Sequence, residues 1–288
     1  MTIELSTPVA GDLGKVVETL RRWQRDDAPM QLHPGDLGWN WQFGPTAMAA
    51  ALRLWRRGGT LLAVGLLDEP DVLRMTVAPE VWHDDEVADR LAADLGDPSR
   101  GVLLTGQASA EVPDTTLKDV LQRQGWSPGD AWAPLRLGLT AAIHRADLHV
   151  EVVTSNAQVS EVTAVHRSAW GSQRFTDTLW HTMATGSPYA DARCLLARDA
   201  DGVAVATLTV WSGGPGVPGL IEPLGVHADH RRLGYGAAIC RAAGAHLQQM
   251  GASSAVVCTP TSNEAAVATY EAAGYQRMPV RLDLSRSA

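Results

Sequence analysis

Cysteine is scarce in this sequence and lysine scarcer still. Only Cys194, Cys240 and Cys258 occur in 288 residues. Odd in number and far apart, they form neither a disulfide framework nor a metal-binding spacing. No apolar run approaches the roughly 18 residues that span a bilayer; the stretch 61–67 is far too short. The opening MTIELSTPVA lacks a basic stretch followed by an apolar one, so no secretion signal is expected. Positive charge is also short: 24 Lys and Arg face 32 Asp and Glu, a formal charge of −8. That balance argues against non-specific nucleic-acid binding, which needs a basic surface. None of the nine histidines has metal-ligand spacing. The expectation is a cytoplasmic (cytosolic) protein with no membrane or nucleic-acid partner and no metal.

What is present is a globular composition, 45% hydrophobic and 19% charged. The length suits one large domain or two ordinary ones. Residues 1–146 hold 14 basic and 20 acidic side chains, and residues 147–288 hold 10 and 12. Seven of the ten tryptophans also lie in the first half. The polar stretch 140–147 reads as the connection between two segments of similar size.

The second segment punctuates clearly. Alternation predicts strands over 148–154, 193–198, 203–211, 220–226, 254–258 and 275–284. Helical periodicity covers 157–170, 176–185, 234–250 and 263–273, and Asp201-Gly202 suits a hairpin turn. In the longest helix Ile239, Ala243, Leu247 and Met250 share a face, and Gly251 stands as its stop signal. The order is that of a three-layer mixed α/β domain. The first segment reads as a worn copy, with helices at 14–25, 44–57, 82–95 and 115–124. Its strands are expected at 60–67, 71–77, 101–106 and 134–139, and with only two of them before its central helix the segment reads as a strand short.

The informative stretch runs from Leu220 to Gly236: a strand, a short turn, then Arg231-Arg232-Leu233-Gly234-Tyr235-Gly236 opening a helix. Two glycines allow close approach of backbone to a ligand. A new helix presents free N–H groups and the positive end of its dipole. With two arginines beside them, these features make a site for a pyrophosphate. A dinucleotide fingerprint does not fit, because Ile239 occupies the third glycine position.

Arg231-x-x-Gly234-x-Gly236, followed in order by Asn263, Tyr270 and Gly274-Tyr275, resembles the GCN5-related N-acetyltransferase (GNAT) superfamily. The likeness covers about residues 148–284, and the first segment matches in outline. The resemblance implies an α/β (α+β) fold of two tandem GNAT-like domains, each a mixed, mostly antiparallel sheet flanked by helices. Residues 1–140 would be a degenerate copy without the CoA motif, and 148–288 the acetyl-CoA-binding catalytic domain. By the resemblance, main-chain groups around Leu224 and Val226 pair with the pantetheine arm. Arg231, Arg232, Gly234, Tyr235, Gly236 and Ala237 cradle the pyrophosphate, Asn263 contacts the pantetheine, and Tyr270 protonates the departing thiolate. The superfamily's acceptor-shaping helices carry His166, Trp170, Phe175, Trp180 and His181 here.

Glu222 is the candidate base for an amine substrate. It lies four residues before Val226, where regular alternation puts both side chains on one face. The alternative is a rim residue or an arginine's ion-pair partner. A turn in the first segment, 77–87, aligns by pattern with 226–236, but Trp82 stands for the arginine and Asp85 and Val87 for the glycines. Acidic residues at a helix start stabilise the helix and repel a phosphate. Trp39, Trp41 and Phe43 read as a loop-like aromatic cluster, either core or pocket lining. The functional expectation is acetyl transfer to an amine of a small molecule or peptide by direct attack. Its alternatives are a non-catalytic acetyl-CoA-binding or interaction module, and use of another acyl-CoA. Self-association as a homodimer stays open.

Overall fold

A computed structural model describes residues 2–141 and 148–287. Most of the expected connection, residues 142–147, lies outside the described residues. In the first half β1 (Ile3–Ser6) is followed by α1 (Leu13–Trp23), α2 (Pro34–Asn40) and α3 (Pro45–Ala51). Three strands follow, β2 (Leu52–Arg57), β3 (Thr60–Glu69) and β4 (Val72–Val77), and then α4 (Asp85–Gly96). β5 (Ala108–Glu111), α5 (Thr116–Arg123) and β6 (Ser127–Gly138) complete it.

The second half repeats the series. It contains β7 (His149–Val152), α6 (Asn156–Trp170), α7 (Asp177–Ala184), β8 (Ala192–Arg198) and β9 (Ala204–Trp211). β10 (Gly219–Val226) leads to α8 (Tyr235–Gln249), β11 (Ser254–Pro260) and α9 (Glu264–Ala272). A two-residue β12 (Gln276–Arg277) precedes β13 (Arg281–Arg286).

All strands join one sheet in the order β1-β2-β3-β4-β5-β13-β6-β11-β10-β9-β8-β7, with β12 also on β6. Among the described residues only β4–β5 and β10–β11 pair in parallel; their other pairings are antiparallel. The two halves exchange their last strands. β13, near the end of the chain, pairs with β5 of the first half, while β6 pairs over Trp132–Gly138 with β11 of the second. β13 and β6 then pair with each other, Arg281 opposite Trp132 and Ser285 opposite Ser127. Each half therefore has its sheet completed by the other.

Helices cover both faces of the sheet. Ile239, Ala243 and Leu247 of α8 are fully buried against β8–β11, the face the periodicity predicts. Burying side chains of this size stabilises by about 1.5–3 kcal/mol each for Ile and Leu. On the opposite face Val159 and Val162 of α6 and Trp180 and Met183 of α7 pack on Cys194, Leu196 and Trp211.

Three expectations for the first half need correction. The helix expected at 44–57 stops at Ala51, and Leu52–Arg57 continues as β2, where Leu54 and Trp55 bury against β3. With β1 and β2 present, four strands precede α4, as four precede α8. The half is not a strand short. The strand expected at 101–106 is irregular chain, although Val102 and Leu103 are buried, and pairing begins at Ala108.

Candidate active site

β10 and β11 start as neighbours and then part. Their parallel pairing covers only Gly219–Ala255 and Leu220–Val256. Beyond it, Leu224–Val226 stay paired with β9 and Val257–Pro260 with β6, so the facing edges of β10 and β11 are open. A bulge between Ile221 and Leu224 drives the separation, since an extra residue bends the strand and interrupts its ladder. The bulge also breaks the regular alternation expected to place Glu222 and Val226 on one face.

At the end of β10 the chain turns sharply into α8. Arg232 has φ +63° and Gly234 φ +84°, both left-handed, a conformation that glycine adopts without strain. α8 starts with no side-chain cap. Its first internal bond is Ala238 N–H to Gly234 O at 3.0 Å, so the amides of Tyr235, Gly236 and Ala237 have no acceptor within the helix. Arg231, Arg232 and Gly234 are exposed. Arg231 reaches back to donate to Ala169 O at 2.5 Å, and Ala228 N–H donates to Ser168 Oγ at 3.0 Å. Both contacts tie the turn to the end of α6. The glycines differ in purpose. A Cβ at Gly234 would meet open space, whereas one at Gly236 would lie 2.8 Å from Thr269 Cγ2 of α9. Free amides, an exposed arginine and an open strand edge fit a pyrophosphate and the arm that follows it.

Glu222 is half-buried in the bulge. Desolvation, reinforced by the Asp36 carboxylate and opposed by Arg74, pushes its carboxyl up to about 7. Tyr270, on α9, is buried, and desolvation keeps its hydroxyl protonated well beyond the ordinary tyrosine range. Asn263 caps α9 through Oδ1, accepting from Ala266 N–H at 3.2 Å, which leaves its Nδ2 hydrogens available. Burial pushes all three thiols up, Cys258 to about 11. None is poised as a thiolate nucleophile. Among the described residues no group of three His, Cys, Asp or Glu side chains is placed to hold a metal ion. No helix among them is long and apolar enough to cross a membrane.

The residues expected at the acceptor side fall into two groups. Trp170 lies over Gly225 of β10, where a Cβ would come within 2.7 Å of the indole. His166 stacks on Trp170 at 4.1 Å and meets Phe175 at 4.6 Å; Trp39, from the first half, meets Phe175 at 4.9 Å and His166 at 5.6 Å. Burial pushes the His166 imidazole down to about 4, and its Nδ1 has no hydrogen-bond partner among the described residues. Trp180 instead meets Tyr189 at 5.6 Å, and Tyr189 meets Trp211 at 6.0 Å. His181 is exposed at the edge of Trp180. The expected loop cluster of Trp39, Trp41 and Phe43 is a helix and a following turn, and its rings part company. Trp41 is buried beneath Gly186, while Phe43 is exposed.

The sequence model of the acetyltransferase (GNAT) family matches residues 159–275. The chain carries a GNAT acetyltransferase domain. Its whole length has the tandem GNAT fold. A tandem GNAT protein from the clavulanic acid biosynthesis pathway, solved without AcCoA, is 15% identical, with a TM-score of 0.62 over 99% of this chain and 98% of that one. An acetyltransferase of the GNAT family from Colwellia psychrerythraea is 13% identical with a TM-score of 0.62 over all of both chains. A GCN5-related N-acetyltransferase from Sphaerobacter thermophilus is 15% identical with a TM-score of 0.60, over 99% and 95%. No curated sequence matches.

The first GNAT-like half has closed its corresponding opening. Thr116 N–H, at the start of α5, donates to Trp82 O at 3.0 Å, bridging the space beyond the β4–β5 pairing. Asp84 caps α4 by accepting from Val87 N–H at 3.0 Å, and Arg57 pairs with Asp84 and Glu86. The helix start that would attract an anion is thus occupied by the chain's own carboxylate. The same half reaches into the GNAT domain through α2. Gly35 and Gly38 lie directly on Trp211, whose ring would be 2.6 and 2.3 Å from a Cβ at those positions. Asp36 and Arg74 near Glu222 were not legible in advance. The two glycines three residues apart in 34–40 were the available sign of a close helix contact.

Proposed function

We propose that the protein is an acetyl-CoA-dependent N-acetyltransferase acting on an amine of a small molecule or peptide. The observation that carries this reading is the coincidence of three features at one place. These are the open edges of β10 and β11, the uncapped start of α8, and Glu222 in the β10 bulge with Tyr270 on the helix that follows β11. The CoA site and the chemistry belong to 148–288, and 1–140 binds no CoA. Amides 235–237 with Arg232 hold the pyrophosphate, and Leu224–Val226 with Asn263 hold the pantetheine arm. Trp170, His166, Phe175, Trp180 and His181 border the acceptor.

Glu222 accepts a proton from the ammonium group, and the free amine attacks the acetyl carbon directly. The new C–N bond replaces the C–S bond, Tyr270 supplies a proton to the departing thiolate, and the proton that the nitrogen sheds on becoming an amide replaces the one Tyr270 gives. A carboxyl near 7 is matched to this task at neutral pH. The protonated thiols disfavour a covalent acyl-cysteine intermediate. Thiol titration of CoA released with a panel of amines tests the reading: turnover is expected on at least one amine, with large losses in Tyr270→Phe and Glu222→Gln. Tight CoA binding without turnover on any amine would identify a binding module instead.

A further inference from the structure

A continuous run of buried charge crosses the molecule toward Glu222. Asp36 is 2% exposed and pairs with Arg74 at 2.7 Å. Arg74 also meets Glu111 at 3.2 Å, and Glu111 meets Arg281 of the exchanged strand β13 at 2.9 Å. Asp283, next on the inner side of β13, accepts from Trp132 Nε1 at 2.6 Å. The near end is fixed to the Glu222 strand mechanically. α2 carries Asp36 between the two glycines pressed on Trp211, and Trp211 Nε1 donates to Glu222 O at 2.6 Å. α2 is itself pinned: Asp36 accepts from His33 N–H at 2.6 Å, and His33 Nε2 lies 3.3 Å from Pro218 O, just before β10.

We propose that the half without a CoA site is part of the transfer site, and that Asp36 and Arg74 are positioning residues setting the protonation of Glu222. The proposal rests on Glu222 being the base. An anion and a cation held beside a carboxyl act on it in opposite directions: a carboxylate disfavours its ionised form and a guanidinium favours it. Asp36 of α2 and Arg74 of β4 act on the Glu222 carboxyl in these opposite senses, the charges of Asp68 on β3 and Glu111 on β5 add to the Asp36 effect, and Tyr270 of α9 in turn senses Glu222. Farther along lie Cys258 of β11 and the Arg281–Asp283 pair of β13. Asp36 and Arg74 share the closest ion pair of this group and are buried from solvent screening.

The test is the pH dependence of kcat/KM for the best amine of the panel. The wild-type acid limb is expected near 7. Asp36→Asn moves it down by about one unit and Arg74→Gln moves it up by about as much. The double variant falls between them. A general packing defect would lower rates without moving the limb in opposite directions. Arg74→Gln leaves the buried Asp36 without its ion-pair partner; if it fails to fold, the double variant and Asp68→Asn, at an exposed position, carry the test. Asp68→Asn is expected to move the limb down by less than Asp36→Asn does. A limb unmoved by Asp36→Asn, or moved the same way by both single variants, overturns the proposal. An acid limb that survives in Glu222→Gln overturns the base assignment itself, a result separable from the first.

Discussion

Trp211 donates its indole N–H to the main-chain oxygen of Glu222 at 2.6 Å, while Gly35 and Gly38 of the first half lie on its ring. A methyl group at either glycine has no room. Gly38→Ala should therefore destabilise by about 1–3 kcal/mol, the range for an overpacked core, even though alanine favours the helix. Urea unfolding measures this, and the smaller side chain of Trp211→Leu should recover part of the loss in the double variant. An unchanged midpoint in Gly38→Ala would show that the α2–Trp211 contact is loose.

Glu222 links activity and stability with opposite signs. Its folded pKa is raised, chiefly by desolvation, from 4.5 to about 7. Its contribution to stability is fully present below pH 4.5 and is lost as pH rises through 7. Glu222→Gln should lower kcat/KM at pH 8 by about 10²–10⁴-fold, the span of general base catalysis. The same variant should melt at higher temperature than wild type at pH 8, the difference shrinking toward pH 5. Thermal melts across that range check it.

His33 should behave in the reverse sense. Burial pushes its imidazole from 6.5 down to about 4, so it contributes stability above pH 6.5 that is lost as pH falls through 4. Its Nδ1 accepts from Gly35 N–H at 2.9 Å, a bond that protonation would remove. His33→Asn should flatten the acid side of the stability curve between pH 6.5 and 4. An unaltered slope in urea titrations would place the proton uptake elsewhere.

Gly236 is expected to matter through helix packing more than through ligand contact. Gly236→Ala sets a methyl 2.8 Å from Thr269 Cγ2 and should cost about 1 kcal/mol or more by overpacking. Thr269→Ser removes that methyl and should restore stability. If it does not, the strain lies elsewhere in the turn.

The β10–α8 turn and the α9 start were legible because their signals are local. Glycines at φ-demanding positions, arginines beside them and a helix following a strand all fall within a few residues. β2 was hidden because Leu52–Arg57 follows the alanine-rich helix Pro45–Ala51 without a turn residue between them. β1 offers only four residues, Ile3–Ser6, too few for periodicity to show. The strand exchange had no local signature at all. β6 and β13 read as final strands of their own segments, and only pairing across more than a hundred residues decides which sheet receives each. Asp36 and Arg74 were missed for the same reason, since their importance comes from a neighbour on the other half.

Calorimetric titration of the intact chain with CoA addresses the central claim most directly. One equivalent per chain is expected, because the α8 turn is open and the α4 turn is filled by Asp84. Heat should be abolished or greatly weakened in Gly234→Val, where a branched side chain cannot hold φ +84° without strain. Two equivalents, none, or one that Gly234→Val leaves intact would contradict the account.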